Sequence, residues 1–247
     1  MSYTAFSSIY DRLIKEDVDY GRICDFIENI FTLKGISPTL IADLACGTGG
    51  VTFPLAERGY DMIGIDRSFD MLDIARRKDK DNKILFLNQS IESLDLYGSV
   101  GAAACMTDGF NYILSDKVLL KALTRLRTCF MDKGGVLIFD VSSEHKLKNI
   151  HGNGTFVYDT DDIFYVWENK YYEKKKLCDM TINFFKKTEK GYKRISERQL
   201  QRARTADEIK KILSLAGFQN IECYSSTSMA PEREDAERLW FACENPR

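Results

Sequence analysis

Apolar residues recur at helical spacing from the start of the chain. Phe6, Ile9, Tyr10, Leu13 and Ile14 share one face, and Ile23, Phe26, Ile27 and Ile30 share another over residues 20–33. Gly35 and Pro38 end that second helix. The period then changes. Leu40-Ile41-Ala42-Asp43-Leu44-Ala45 is a short apolar run that stops at Cys46-Gly47-Thr48-Gly49-Gly50, which reads as strand, glycine turn and helix start. A helix over 51–58 follows, and Met62-Ile63-Gly64-Ile65 is the next strand, closing on Asp66. Ser68 caps a third helical stretch whose apolar side is Met71, Leu72 and Ile74-Ala75. Further strands are predicted over 84–87, 100–106 and 136–141, with a helix over 115–131 before the last of these. Continuous apolar strands alternating with amphipathic helices predict a parallel sheet covered on both faces.

That rhythm breaks near Glu144. From Gly152 to about Arg202 the runs are aromatic, β-branched and partly alternating, as in Phe164-Tyr165-Val166-Trp167 and Met180-Thr181-Ile182-Asn183-Phe184. They predict a small antiparallel sheet. Helix returns over 205–216, where Thr205 and Glu208 have capping-box spacing and Gly217 ends the run. Strands over 221–224 and 238–242 complete the pattern. The expected division is N-terminal helices over 1–38 that roof a ligand site, a core over 39–144 and 203–247, and an inserted antiparallel lobe over 145–202.

Composition narrows the class. A chain of 247 residues, 44% hydrophobic and 29% charged, is long enough for a full core and too apolar for global disorder. Lys+Arg 35 against Asp+Glu 37 leaves no global field to hold nucleic acid. The seven cysteines are scattered and never form CxxC, and there are only two histidines, so neither a disulfide framework nor a metal site is expected. The first residues lack the charge and apolar pattern of a signal peptide, and no apolar run is long enough to span a membrane. A cytoplasmic protein, monomeric or weakly dimeric, is the expectation.

The segment Asp43 to Gly50 carries the strongest chemical signal. Glycines let a backbone turn tightly against a ligand, and the helix that follows presents free N–H groups. Asp66 lies 19 residues after Gly47 at the end of the next strand, where a carboxylate can accept both ribose hydroxyls of an adenosine-type cofactor. Position 52 holds Thr where a dinucleotide fingerprint wants a third glycine, and no GxxxxGK[ST] loop is present. Asp43 would repel a pyrophosphate but suits an ammonium or sulfonium. S-adenosylmethionine satisfies all of these points, and a nicotinamide dinucleotide is the weaker reading.

On these residues the chain resembles the class I S-adenosylmethionine-dependent methyltransferases, and within them a small bacterial group without characterised substrates. Asp43-x-Ala45-Cys46-Gly47-Thr48-Gly49 is similar to the first motif of that family, Asp66 to its ribose-binding acid, and Gly134-Gly135-Val136-Leu137-Ile138-Phe139-Asp140 to its fifth strand. The resemblance implies an α/β fold: a Rossmann-like, doubly wound, seven-stranded methyltransferase sheet, its last strand antiparallel, with an inserted small antiparallel β lobe. It also implies cofactor contacts from Tyr10, Tyr20, Asp43, Ala45, Gly47, Gly49, Asp66, Arg67, Met71, Ser90, Ile91 and Met106. Ser90 stands where many relatives carry Asp toward the adenine amino group.

Methyl transfer from a sulfonium is an in-line displacement, so the protein mainly aligns and desolvates the reactants. A base is needed only for a protonated acceptor. Asp108, Asn111 and Tyr10 are the candidate catalytic residues, and Tyr112, Trp167 and Arg202 the candidate acceptor contacts. Asp108-Gly109-Phe110-Asn111-Tyr112 lacks the proline pair of base-amino and protein-amide methyltransferases. A small-molecule acceptor is therefore expected. RNA or protein methylation, or cofactor binding without catalysis, remain as alternatives. RNA binding would draw on Lys174-Lys175-Lys176, Arg198, Arg202 and Arg204.

Overall fold

The computed structural model describes residues 18–159, 163–189 and 191–247. The helix expected over residues 6–14, and Tyr10 with it, lies outside them.

Helix α1 (Tyr20–Lys34) begins where the Asp19 side chain accepts from the Arg22 N–H and ends at Gly35, whose φ of 60° is the left-handed closure that glycine allows. Its buried side is Ile23, Cys24, Phe26, Ile27, Ile30 and Phe31. There follow β1 (Leu40–Leu44), α2 (Thr52–Glu57), β2 (Asp61–Asp66), α3 (Phe69–Lys78), β3 (Leu85–Asn88), β4 (Val100–Cys105), α4 (Asp116–Cys129) and β5 (Met131–Ser142). Ser68 caps α3 by accepting from the Met71 N–H, and Ser115 caps α4 by accepting from the Val118 N–H. After a π-helical turn at Lys146–His151 come β6 (Thr155–Asp159), β7 (Ile163–Tyr172), β8 (Leu177–Thr188) and β9 (Gly191–Arg202). The chain then enters α5 (Ala206–Ala216), β10 (Gln219–Tyr224) and β11 (Arg238–Glu244), and α5 carries the full capping box of Thr205 and Glu208.

Seven strands form one sheet in the order β10-β11-β5-β4-β1-β2-β3. Pairing is parallel from β3 through β5, and β11 runs antiparallel to both β5 and β10. One face of the sheet buries Leu44, Cys105, Leu137, Phe139 and Phe241 against α4 and α5, while the other buries Ile41, Ala104, Ile138 and Trp240 against α1. Both faces are apolar because both are covered, which is why the strands lack polar alternation. The strand order reverses between β1 and β4, so their carboxyl ends diverge into a crevice.

The other four strands form a separate antiparallel sheet in the order β6-β7-β8-β9. Its alternating residues Ile163 and Phe184 pack on Met71 of α3, and Tyr171, Cys178 and Met180 pack on Leu147 of the π-helical turn. The four-stranded sheet thus covers the crevice end of the larger one.

Candidate functional site

The glycine turn is shaped by its surroundings. Gly47 and Gly49 have φ of 57° and 86°, and Ala45 shares the left-handed region at 57°. At Gly50 a Cβ would lie 2.4 Å from the Tyr20 ring, so this glycine lets the first turn of α1 lie on the loop. The Gly47 N–H donates to Asp66 Oδ2 at 2.9 Å, and the Ser68 N–H donates to Asp66 Oδ1 at 2.7 Å. Each carboxylate oxygen keeps a lone pair for a further donor. Burial raises the Asp66 carboxyl, with those N–H groups and Arg67 opposing it. Asp43 is only 2% exposed and accepts from the Thr52 hydroxyl at 2.5 Å. Burial pushes its carboxyl up to about 7, with the Thr52 bond opposing and Asp66 adding to the rise.

A cleft opens beside this turn. Its lining includes Ala45, Gly47, Asp66, Arg67, Met71, Ser90, Ile91 and Tyr112, all expected from the sequence. Tyr20, Asp43 and Met106 line a smaller adjoining hollow with Gly47 and Thr48. Gly49 borders neither space; its Cβ would meet the Phe53 ring at 2.4 Å. Thr107, Gly109, Ile113 and Gln199 also line the cleft. Gln199 comes from β9, and sequence offered only its strand alternation as a signal. Ser90 shares a hydrogen bond with the Ser93 hydroxyl at 3.0 Å, and the Gln89 amide is tied to the backbone of Asp95.

At the end of β4 the backbone turns left-handed twice, with φ of 58° at Thr107 and 69° at Asp108. Such conformations are costly for residues with a Cβ and persist where the surroundings impose them. Arg238 of β11 imposes this one. Its Nη1 and Nη2 donate to the Asp108 carboxylate at 2.7 and 3.2 Å, and Nη1 also bonds Asp140. The Ser142 hydroxyl adds a bond to Asp108 at 3.0 Å. Burial alone would raise the Asp108 carboxyl, but Arg238, Lys146 and Ser142 hold it below the ordinary carboxylate range. Asp108, a candidate for catalysis or acceptor binding, is thus held as an anchored anion.

Other candidate residues are held by neighbouring groups. Asn111 is 1% exposed, its Nδ2 donates to the carbonyls of Ser142 and Arg202, and its Oδ1 accepts from the Ser142 N–H. Both its amide hydrogens are spent on joining β5 to β9, and the side chain is buried outside the cleft lining. Arg202 bonds the Lys175 carbonyl and the Asp116 carboxylate. Arg204 is buried, holding Asp116 and the carbonyls of Phe110 and Ile113. Trp167 sits away from the cleft lining, edge-on to His151 with ring centroids 4.8 Å apart. Burial lifts the Cys46 and Cys105 thiols well above their usual range, which keeps them inert. Among the described residues no cluster could hold a metal ion.

The groups present fit S-adenosylmethionine. Asp66 faces the cleft with spare lone pairs for two ribose hydroxyls, Met71, Ile91 and Ile113 offer an apolar slot for a flat base, and the buried Asp43 waits behind the turn for a cation. A pyrophosphate would meet these two carboxylates instead of free N–H groups.

Comparison with known proteins agrees. The methyltransferase domain family matches residues 41–134. The chain is 28% identical over 249 residues to YqeM of Bacillus subtilis (strain 168), named as a methyltransferase, covering 100% of this chain and 98% of that one. A glycine/sarcosine N-methyltransferase of Parasynechococcus marenigrum (strain WH8102) is 27% identical over 139 residues, 55% of this chain and 48% of its own. The crystal structure of an S-adenosylmethionine-dependent methyltransferase from Clostridium acetobutylicum ATCC 824 superimposes with a TM-score of 0.90 at 32% identity, covering 99% of both chains. With this fold, this glycine turn and these relatives, the chain belongs to the S-adenosylmethionine-dependent methyltransferases.

Proposed function

We propose that the chain methylates a small molecule that enters between the four-stranded sheet and the carboxyl ends of β4 and β5. The observation that carries this reading is the bridge from Tyr112 to Gln199, at 2.8 Å, which brings the four-stranded sheet to the rim of the cofactor cleft. A roof so close favours a compact acceptor. The bound cofactor supplies an electrophilic methyl group, and the protein's part is alignment and exclusion of water. In this reading Asp66 holds the ribose, Asp43 receives the cofactor ammonium, and Met71 and Ile91 flank the base. The described helix α1 lies over the glycine turn through Tyr20, and residues 145–202 form the acceptor-side lobe.

Two further observations support a small acceptor. Part of the basic run of the lobe is neutralised: Lys176 pairs with Glu144 and Glu208, Arg198 with Asp179, and Arg202 with Asp116. Such pairing removes part of the charge that could follow a phosphate backbone. The Parasynechococcus relative is named for small amino-acid acceptors. The anchored Asp108 is read as an electrostatic wall of the acceptor site, with no proton to take. Incubating a metabolite extract with methyl-labelled cofactor, against an Asp66→Ala control, tests the reading. Label should enter low-mass compounds only with the unaltered protein, and label found solely in RNA or protein overturns it.

A further inference from the structure

Folded proteins leave few buried polar atoms without a partner, and each such atom calls for an explanation. Seven side-chain atoms are of this kind among the described residues, and four of them belong to one patch. They are His151 Nδ1, Trp167 Nε1, Asn169 Oδ1 and Tyr171 Oη. Trp167, Asn169 and Tyr171 alternate along β7 and so share a face. His151 closes the π-helical turn over that face: its ring meets Trp167, and its carbonyl accepts from Asn169 Nδ2 at 3.5 Å. Asn169 and Tyr171 are each 8% exposed. A π-helical turn is itself a feature that recurs at functional sites.

The chemistry of the row is specific. It offers an N–H donor from the indole, an amide oxygen that only accepts, and an imidazole nitrogen and a phenol. Its walls are the rings of His151, Phe156 and Trp167. Formal charges nearby already have partners: Lys148 with Glu173, Lys176 with Glu144 and Glu208, and Arg202 with Asp116. Burial takes the His151 imidazole down to about 4, which keeps it neutral. Aromatic walls, mixed donors and acceptors and no spare charge match an uncharged ring bearing hydroxyl groups.

We propose that this row is an acceptor-recognition subsite for a neutral, hydroxylated ring. The proposal rests on the small-molecule reading above and narrows it. The four atoms have essentially no accessible surface, so the subsite is shut in the ligand-free molecule. Opening it would take a movement of the turn at Lys146–His151, which ends at Gly152 with φ of 43°.

The chain has only two tryptophans, so Trp240→Phe leaves Trp167 as the sole indole reporter. That protein, saturated with S-adenosylhomocysteine, is titrated with methyl α-D-glucopyranoside and methyl β-D-xylopyranoside, with ethanolamine and acetate as charged controls. A saturable change in Trp167 emission with at least one glycoside and neither control is expected. Asn169→Ala should weaken it about tenfold or more. No saturation with either glycoside, or saturation that Asn169→Ala leaves unchanged, overturns the proposal. Calorimetry of S-adenosylhomocysteine on the same samples reads the cofactor site separately, so failure there is told apart from failure of the subsite. Should Trp240→Phe not fold, amide exchange over residues 146–154 in the unaltered protein replaces it. A glycoside-dependent change in exchange supports the subsite, and none overturns it.

Discussion

The phenol of Tyr112 donates to the amide oxygen of Gln199, 87 residues further along the chain, at 2.8 Å. Arg67 lies over the Tyr112 ring, 5.9 Å from its centroid. One aromatic side chain therefore joins the ribose-side loop after β2, the turn after β4 and the four-stranded sheet. Removing the hydroxyl in Tyr112→Phe deletes one neutral hydrogen bond, worth about 1 kcal/mol. S-adenosylhomocysteine should then bind about three- to tenfold more weakly by calorimetry, while the melting temperature moves by only a few degrees. Unchanged affinity would mean that the bridge does not shape the cofactor cleft.

Asp66 unites the glycine turn with the loop after β2 through two backbone N–H groups. Ribose hydroxyls would add charge-assisted bonds of about 1.5–3 kcal/mol each. Asp66→Ala should therefore lower S-adenosylhomocysteine affinity by about a hundredfold or more, with circular dichroism confirming that the sheet persists. Retention of full affinity would sink the ribose assignment.

Asp43 carries a pH signature. Its folded carboxyl sits at about 7 because of burial, against an ordinary value near 3.8. A raised folded value means that the native state holds the proton more tightly than the unfolded chain does. The resulting stability is fully present below the ordinary value and disappears as pH rises through about 7. Asp43→Asn should accordingly raise the melting temperature at pH 8 and leave it nearly unchanged at pH 4. A cofactor ammonium favours the ionised form, so unaltered protein should bind S-adenosylhomocysteine more tightly at pH 7.5 than at pH 6. Calorimetry on Asp43→Asn should find that slope flattened.

Arg238 and Asp108 form the opposite case. The guanidinium and Ser142 keep the carboxyl ionised despite burial. Stability from this lowered value is present above the ordinary carboxylate range and is lost as pH falls through the folded value. Arg238→Met leaves a buried carboxylate without its cation, a defect of about 3–5 kcal/mol at pH 7. Denaturant melts should show that deficit shrinking toward pH 4, where Asp108 can take a proton. A deficit independent of pH would mean lost packing alone.

Asn111 should behave as a joint between strands. Asn111→Ala removes three bonds to buried backbone, so it should lower stability by a few kcal/mol while surviving protein keeps its cofactor affinity. A selective loss of turnover with normal stability would return Asn111 to the chemistry.

Much of the cofactor side was legible because its signals are local. Asp43, Gly47, Gly49 and Asp66 fall within one strand–turn–helix–strand unit, and the acid sits 19 residues from the glycine that donates to it. The mostly parallel core could be read because strands covered on both faces lose alternation, and the smaller sheet because its strands keep some. The acceptor side was less legible. Arg238 lies 130 residues from Asp108 and Arg202 lies 91 from Asn111, and no spacing rule spans such gaps. Asn111 looked available for chemistry in the sequence because its partners are carbonyls and an N–H, which every residue carries. Gln199 was one polar position among many on a polar strand. The π-helical turn left no sign beyond the end of the preceding strand pattern.

Because β11 inserts antiparallel between β5 and β10 and delivers Arg238 to Asp108, the site is assembled in two instalments during synthesis. The glycine turn, Asp66 and the turn after β4 have all left the ribosome while the strand bearing Arg238 is still untranslated. A nascent chain can thus complete the glycine turn and Asp66 well before Asp108 gains its counter-ion from β11.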